Sequence, residues 1–152
     1  MTAHSESRVV PYPADLMFAI VADVERYPEF VPWCVGLRIL KCEAVGPREI
    51  MLCETVVGFR GLREKYTSRV TAVAREHRVD VEQVSGVFRK LTTHWRFTPT
   101  DEKSCRVDFA IEFEFKSRVL GAVAGAAFGV VVTQMTKAFE DRAKKRSQQS
   151  LQ

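Results

Sequence analysis

From Val35 onward apolar and polar residues alternate, and this period of two persists through five or six segments as far as Lys116. Directly after Ser117 the period becomes helical and stays so for about 28 residues or more, through VLGAVAGAAFGVVVTQMTKAFEDRAKKR. No other feature narrows the fold as far. Strands joined by short turns form an antiparallel meander, and a long helix with one apolar stripe needs a partner to cover it. The stripe holds Phe128, Val131, Val132, Met135 and Phe139 at three- and four-residue spacing. The expected architecture is α+β, a curved antiparallel sheet of six or seven strands wrapped around the last helix. Such a sheet rarely packs solid to its ends, so the space between sheet and helix is the default ligand site.

Turn signals punctuate the meander at Gly46-Pro47, Gly58 to Gly61, Arg75 to His77, Ser85-Gly86 and Thr98 to Lys103. The clearest strand, SCRVDFAIEFEFK, sends Cys105, Val107, Phe109, Ile111, Phe113 and Phe115 to one face. Arg106, Asp108, Glu112 and Glu114 take the other. In REIMLCETVV and REKYTSRVTAV the alternation is less clean, and Glu54, Tyr66 and Ser68 share a side with apolar neighbours, as in a cavity wall. Upstream, Ser5 to Val10 reads as a short strand. Pro13-Ala14-Asp15 then opens a helix of about ten residues, LMFAIVADV, closed off by Pro28 and Pro32.

Composition sets limits on function. A chain of 152 residues fits one domain, 1–152, with a basic tail from about residue 144 to 152, and 46% hydrophobic with 28% charged residues is globular. Cys34, Cys42, Cys53 and Cys105 form no C-x-x-C pair, and His4, His77 and His94 stand apart, so no metal site is expected. Cys34, Ser68 and Cys105 have no motif tying them to a base, and His94 sits alone in LTTHWRFTP, so no catalytic residue is assigned. Nor is there a phosphate-binding loop, G-x-x-x-x-G-K-[ST], or a strand-linked G-x-G-x-x-G. The pattern favours a binding module. The start, MTAHSESRVV, has neither an apolar h-region nor an Arg-rich amphipathic leader, so a cytoplasmic location with free thiols is expected.

Gly121, Gly125 and Gly129 form two overlapping G-x-x-x-G steps in an apolar run of about 14 residues, shorter than the roughly 20 that span a bilayer. They imply either close approach of helix to sheet or local looseness over the cavity. The net charge is +4 and cations gather in KAFEDRAKKRSQQ. They complement the helix dipole, or else they meet anionic lipid or RNA.

The stretch YPEFVPWC, Tyr27 to Cys34, resembles the signature that follows the first helix in the coenzyme Q-binding protein family, part of the START-like or polyketide cyclase/dehydrase-like superfamily. The resemblance continues in VGFRGLREKYTSRV, GVFRKLTTHWRFTP, CRVDFAIEFEF and MTKAFEDRA, in that order, with GVFRKL standing where a glycine-proline-phenylalanine turn is usual. It implies a helix-grip (START-like, Bet v 1-like) fold that binds a lipophilic molecule non-covalently. Ubiquinone is the implied ligand rather than a cofactor, respiratory electron transport the context, and the inner membrane surface a transient partner, with no DNA. One bacterial branch is instead a ribosome-association toxin, for which the tail and Arg60, Arg63 and Arg69 are the expected contacts. A cyclase or dehydratase reading needs a buried acid-base pair. The expected ligand contacts are Phe30, Val31, Pro32, Trp33, Tyr66, Trp95, Phe109, Phe113, Phe115, Phe128 and Val132. The prolines of PEFVPWC fix the backbone, and two readings follow. Phe30 and Trp33 form a rigid gate over the cavity mouth, or both seal the bottom of the core.

Overall fold

The computed structural model describes residues 2–59 and 61–150. Seven antiparallel strands form one sheet: β1 (Thr2–Val10), β2 (Cys34–Val45), β3 (Arg48–Phe59), β4 (Leu62–Val73), β5 (Arg78–Gly86), β6 (Phe88–Pro99) and β7 (Cys105–Phe115). Their order is β1-β7-β6-β5-β4-β3-β2, so the meander runs straight across the sheet and the first strand joins the last. Every turn predicted from glycine and proline lies at a strand junction. Gly46 and Gly61 adopt positive φ of 60° and 83°, and His77, at φ 49°, ends the short 3-10 turn between β4 and β5. β1 is longer than the six residues expected, because it pairs with β7 from Thr2↔Phe113 to Val10↔Cys105.

Helix α1 (Ala14–Ala22) ends before the prolines, and the chain then tightens into a 3-10 turn over Val24–Glu29 that contains Pro28. Proline has no N–H to continue an α-helical ladder, and i→i+3 bonds such as Phe30 N–H to the Tyr27 carbonyl, 3.1 Å, take over. This helical excursion carries the chain from one edge of the sheet, β1, to the other, β2.

Helix α2 (Arg118–Ser150) has 33 residues. Ser117 starts it, its hydroxyl accepting the Leu120 N–H at 3.3 Å. The helix takes in residues 144–150 of the basic tail, while Leu151 and Gln152 lie outside the described residues. Register shifts interrupt pairing at Cys34/Gly36, Ile39/Lys41, Thr67/Ser68 and Phe88/Lys90. Bulges of this kind bend a sheet, and this one curves around α2.

The core divides in two. The larger cluster joins Met17, Ile20 and Val21 of α1 to Trp95, Phe97 and Phe109 of the sheet and to Met135, Phe139 and Ala143 of α2. A smaller one gathers Phe88, Leu91 and Phe113 with Tyr66, Phe115 and Phe128 around them.

Candidate functional site

Between the concave face of the sheet and α2 lies a cavity of about 240 Å³. Strand parity decides what lines it. Cys53 is opposite Ser68 and Thr55 opposite Tyr66, so these four share the inner face, as do Glu64 and Val70 on β4. Glu54 belongs to the outer face, where it pairs with Arg38 at 3.4 Å, which corrects the expectation that it stands beside Tyr66 and Ser68. β6 and β7 add Leu91, Thr93, Trp95, Phe109, Ile111 and Phe113, and α2 adds Val123, Phe128, Val132 and Phe139.

The cavity has a closed end and an open one. At the closed end Trp95, Phe109 and Phe139 are 5%, 2% and 2% exposed. Their rings meet edge or tilted at 4.3 Å (Trp95–Phe109) and 5.2 Å (Trp95–Phe139), favourable geometry for aromatic pairs. At the other end Leu62 and Val123 line the cavity while 41% and 36% exposed, and they form an apolar rim.

The residues expected to bind ligand separate cleanly. Trp33, Tyr66, Trp95, Phe109, Phe113, Phe115, Phe128 and Val132 all line the cavity. Phe30, Val31 and Pro32 do not. Phe30 ends the 3-10 turn and packs on Tyr27, on Phe139 and under the Arg142 guanidinium, 5.0 Å above its ring. Val31 is buried in the larger core and Pro32 is exposed. The gate and seal readings are thus divided between two residues. Phe30 closes the far side of the core, and Trp33, three positions on at the entry to β2, faces the cavity.

Trp33 is held through its backbone. Its carbonyl accepts the Gly58 N–H at 2.9 Å, tying the loop to the end of β3. A β-carbon on Gly58 would lie 2.7 Å from a methyl of the exposed Val35, so glycine leaves room for the approach without displacing that side chain. Gly86 does the same for Tyr66. It has φ 141°, pairs with Tyr66, and a β-carbon there would lie 2.5 Å from that of Tyr66. Gln83 secures this corner, donating to the Phe88 carbonyl at 2.6 Å and accepting the Phe88 N–H at 3.0 Å.

Electrostatically the lining is nearly neutral. Among the described residues the lining has one carboxylate, Glu64, and no lysine, arginine, histidine or aspartate. Burial pushes the thiols of Cys34 and Cys53 up to about 11 each, and Cys105 likewise, so at neutral pH none is a thiolate. Burial also raises the hydroxyls of Tyr27 and Tyr66 well above the usual phenol range. The Tyr27 hydroxyl donates to the Val21 carbonyl, and Thr55 hydrogen-bonds to Tyr66. His94 sits on the outer face, bonded to Asp80 at 2.6 Å, and meets none of the lining groups. Such a surface suits the capture of an apolar molecule.

The glycines of α2 do not serve close packing. A β-carbon at Gly121, Gly125 or Gly129 would meet nothing within 4 Å, which leaves looseness as their consequence. The sequence missed Glu64, Leu91 and Thr93 as lining residues, although the parity that placed Tyr66 and Ser68 inward also places Glu64. Of the arginines expected at a ribosome, Arg63 is exposed, Arg69 is paired with Glu82 at 2.8 Å, and Arg60 lies outside the described residues.

Residues 10–140 match the family described as polyketide cyclase / dehydrase and lipid transport. The chain is 34% identical over 140 residues to the ribosome association toxin RatA of Escherichia coli, covering 92% of this chain and 85% of that one. It is 37% identical over 144 residues to the mitochondrial coenzyme Q-binding protein COQ10 homolog B of Xenopus laevis, covering 92% of this chain and 57% of the relative. The solution structure of an 18 kDa protein of Caulobacter crescentus superposes with a TM-score of 0.80 at 37% identity, over 97% of this chain and 99% of that one.

Proposed function

Because the chain belongs to the polyketide cyclase / dehydrase and lipid transport family, we propose that its cavity binds and carries a lipophilic molecule, with a quinone of the ubiquinone type as the first candidate. The observation that carries this reading is the lining itself, a wall of aromatic and aliphatic side chains around about 240 Å³ with a single ionisable carboxylate. Filling it with an apolar molecule removes surface from water on both partners, at roughly 25 cal/mol per Å². The same wall supports a non-catalytic role, since a cyclase or dehydratase needs an acid and a base facing each other. Delivery at a membrane surface follows from the energetics, because each CH₂ exposed to water on the way costs about 0.8 kcal/mol. The exposed apolar rim at Leu62 and Val123 would meet that surface. Among the described residues no helix is long and apolar enough to cross a membrane.

Organic extraction of the purified protein, with mass spectrometry of the extract, tests the reading. A recurring quinone or other lipophile is the expected result. Repeated empty extracts, together with no uptake of added quinone, would overturn it.

A second reading has its own observation, the 34% identity to a ribosome association toxin across 85% of that relative. In it, exposed cations such as Arg63 and those at the end of α2 contact the large ribosomal subunit. Co-sedimentation with ribosomes that collapses as salt rises from 50 to 200 mM is its signature, because phosphate contacts release counterions. Lipophile capture responds little to salt.

A further inference from the structure

The open end of the cavity coincides with one end of the sheet. The β3–β4 turn, the β5–β6 turn and the start of α2 all lie there, because antiparallel strands bring alternate junctions to the same side. Two kinds of exposed side chain gather on these segments. The apolar ones are Leu62, Val119 and Val123, at 41%, 74% and 36% exposure. The cationic ones are Arg63 and Lys65 after the β3–β4 turn, Arg89 and Lys90 after the β5–β6 turn, and Lys116 and Arg118 at the start of α2. Among the described residues Lys90 alone of these cations is ion-paired, to Glu112 at 2.7 Å. Glu64 and Glu114, both half-buried, offset part of the charge. At the opposite end of the sheet the signs mix, with Arg75 beside Glu76 and with Asp101 and Glu102 beside Lys103. The first turn of α2 holds no acidic residue, so Lys116 and Arg118 stand against the positive end of the helix dipole, an arrangement that negative charge from outside relieves.

We propose that this end of the molecule docks on an anionic bilayer, with Leu62 and Val119 entering the head-group layer and the surrounding cations meeting lipid phosphates. This rests on the reading of the cavity as a lipophile site and names the surface on which it loads and unloads. Charge complementarity selects a negative partner. The exposed aliphatic side chains among the cations select a bilayer over RNA, which would leave them against phosphate and sugar. The basic tail is a separate region. Helix α2 spans roughly 50 Å at 1.5 Å per residue, several Debye lengths at physiological salt, so cations at its two ends act independently. With the mouth against the head groups, a lipophile passes between cavity and acyl layer without crossing water.

The test is flotation of the full chain with vesicles of phosphatidylcholine, pure or mixed with phosphatidylglycerol. Wild type is expected to float with the mixed vesicles, not with the pure ones, and to be released as salt rises. Lys116→Gln with Arg118→Gln should weaken that partition about tenfold or more, at about fivefold for each cation. Val119→Asn should weaken it about threefold and leave its salt dependence unchanged. Lys144→Gln with Lys145→Gln, in the tail, should leave it as it is. These side chains are exposed and none lines the cavity, so every variant should take up a decyl-substituted benzoquinone from cyclodextrin, without vesicles, as wild type does. If the tail pair weakens flotation and the mouth pair does not, or if pure phosphatidylcholine serves as well, the docking surface is wrong while the carrier reading stands. If wild type floats with neither vesicle and the mouth pair is needed for co-sedimentation with ribosomes, the cations serve RNA and the proposal falls. If wild type takes up no quinone, the carrier reading falls and the loading surface with it.

Discussion

The two halves of α2 have opposite surroundings. In the second half Val132, Met135, Phe139 and Ala143 are buried at four- and three-residue spacing. That half is also tied down from outside, with Arg142 bonded to Glu29 at 3.0 Å and Glu140 paired with Arg8. The Arg142 hydrogen bond holds the Glu29 carboxyl below its usual range. In the first half Val119 is 74% and Val130 56% exposed, and three glycines face open space. One helix thus works as an anchor at the closed end of the cavity and as a loose cover at the open end. Local opening is drawn from the least stable part of a fold, and here that part overlies the ligand site.

Removing the anchor should produce the largest effect. Phe139→Ala takes away a ring that contacts Tyr27, Phe30 and Trp95, and a loss of about 3–5 kcal/mol in urea unfolding is expected. A loss below about 1 kcal/mol would mean that the closed end is no more rigid than the open one.

The cover should respond in the opposite sense. Gly121→Ala with Gly125→Ala meets no steric obstacle, and each exchange favours the helix by about 0.5–1 kcal/mol. Global stability should stay the same or rise by up to about 2 kcal/mol, while transfer of quinone to vesicles slows. Equal transfer rates for folded mutant and wild type would remove the first half of α2 as the moving part.

Uncapping that half should have a smaller effect, and a purely local one. Ser117→Ala deletes the acceptor for the Leu120 N–H, and about 0.5–1 kcal/mol is expected. Hydrogen exchange should quicken between residues 118 and 131 and remain unchanged around Met135 and Phe139. Faster exchange along the whole helix would show that the halves open together.

The smallest effect at neutral pH concerns the thiols. Cys42 is exposed, whereas Cys34, Cys53 and Cys105 are buried, so iodoacetamide at pH 8 should label Cys42 alone in the folded protein. A thiol raised from 9.0 to about 11 on folding keeps its proton longer than in the unfolded chain. The stability it contributes is complete below about pH 9 and is lost as pH climbs toward 11. Stability that stays flat across this window, followed by urea midpoint, would contradict the burial of these groups.

Much of this molecule was legible in the residue pattern. The switch from period two to period 3.6 at Ser117, the turn residues and the apolar stripe of the last helix all survive in the structure, because each reflects a local preference of backbone and side chain. Parity along single strands likewise placed Tyr66, Phe109, Phe113 and Phe115 on the cavity side. Where a strand mixes polar and apolar residues on both faces, parity alone is ambiguous. Only the pairing of Cys53 with Ser68 and Thr55 with Tyr66 turned Glu54 outward.

What the sequence determined by itself is the set of elements, their order and the apolar stripe, all of which depend on interactions between residues a few positions apart. Tertiary structure decided the rest. The pairing of β1 with β7 joins segments about a hundred residues apart in the chain, and the separation of Phe30 from Trp33 depends on which distant surface each one reaches. The same holds for the glycines of α2, whose G-x-x-x-G spacing fits equally well against a packed neighbour or open space. Whether a β-carbon there would clash is set by the curvature of a sheet whose bulges and long-range register no local pattern encodes.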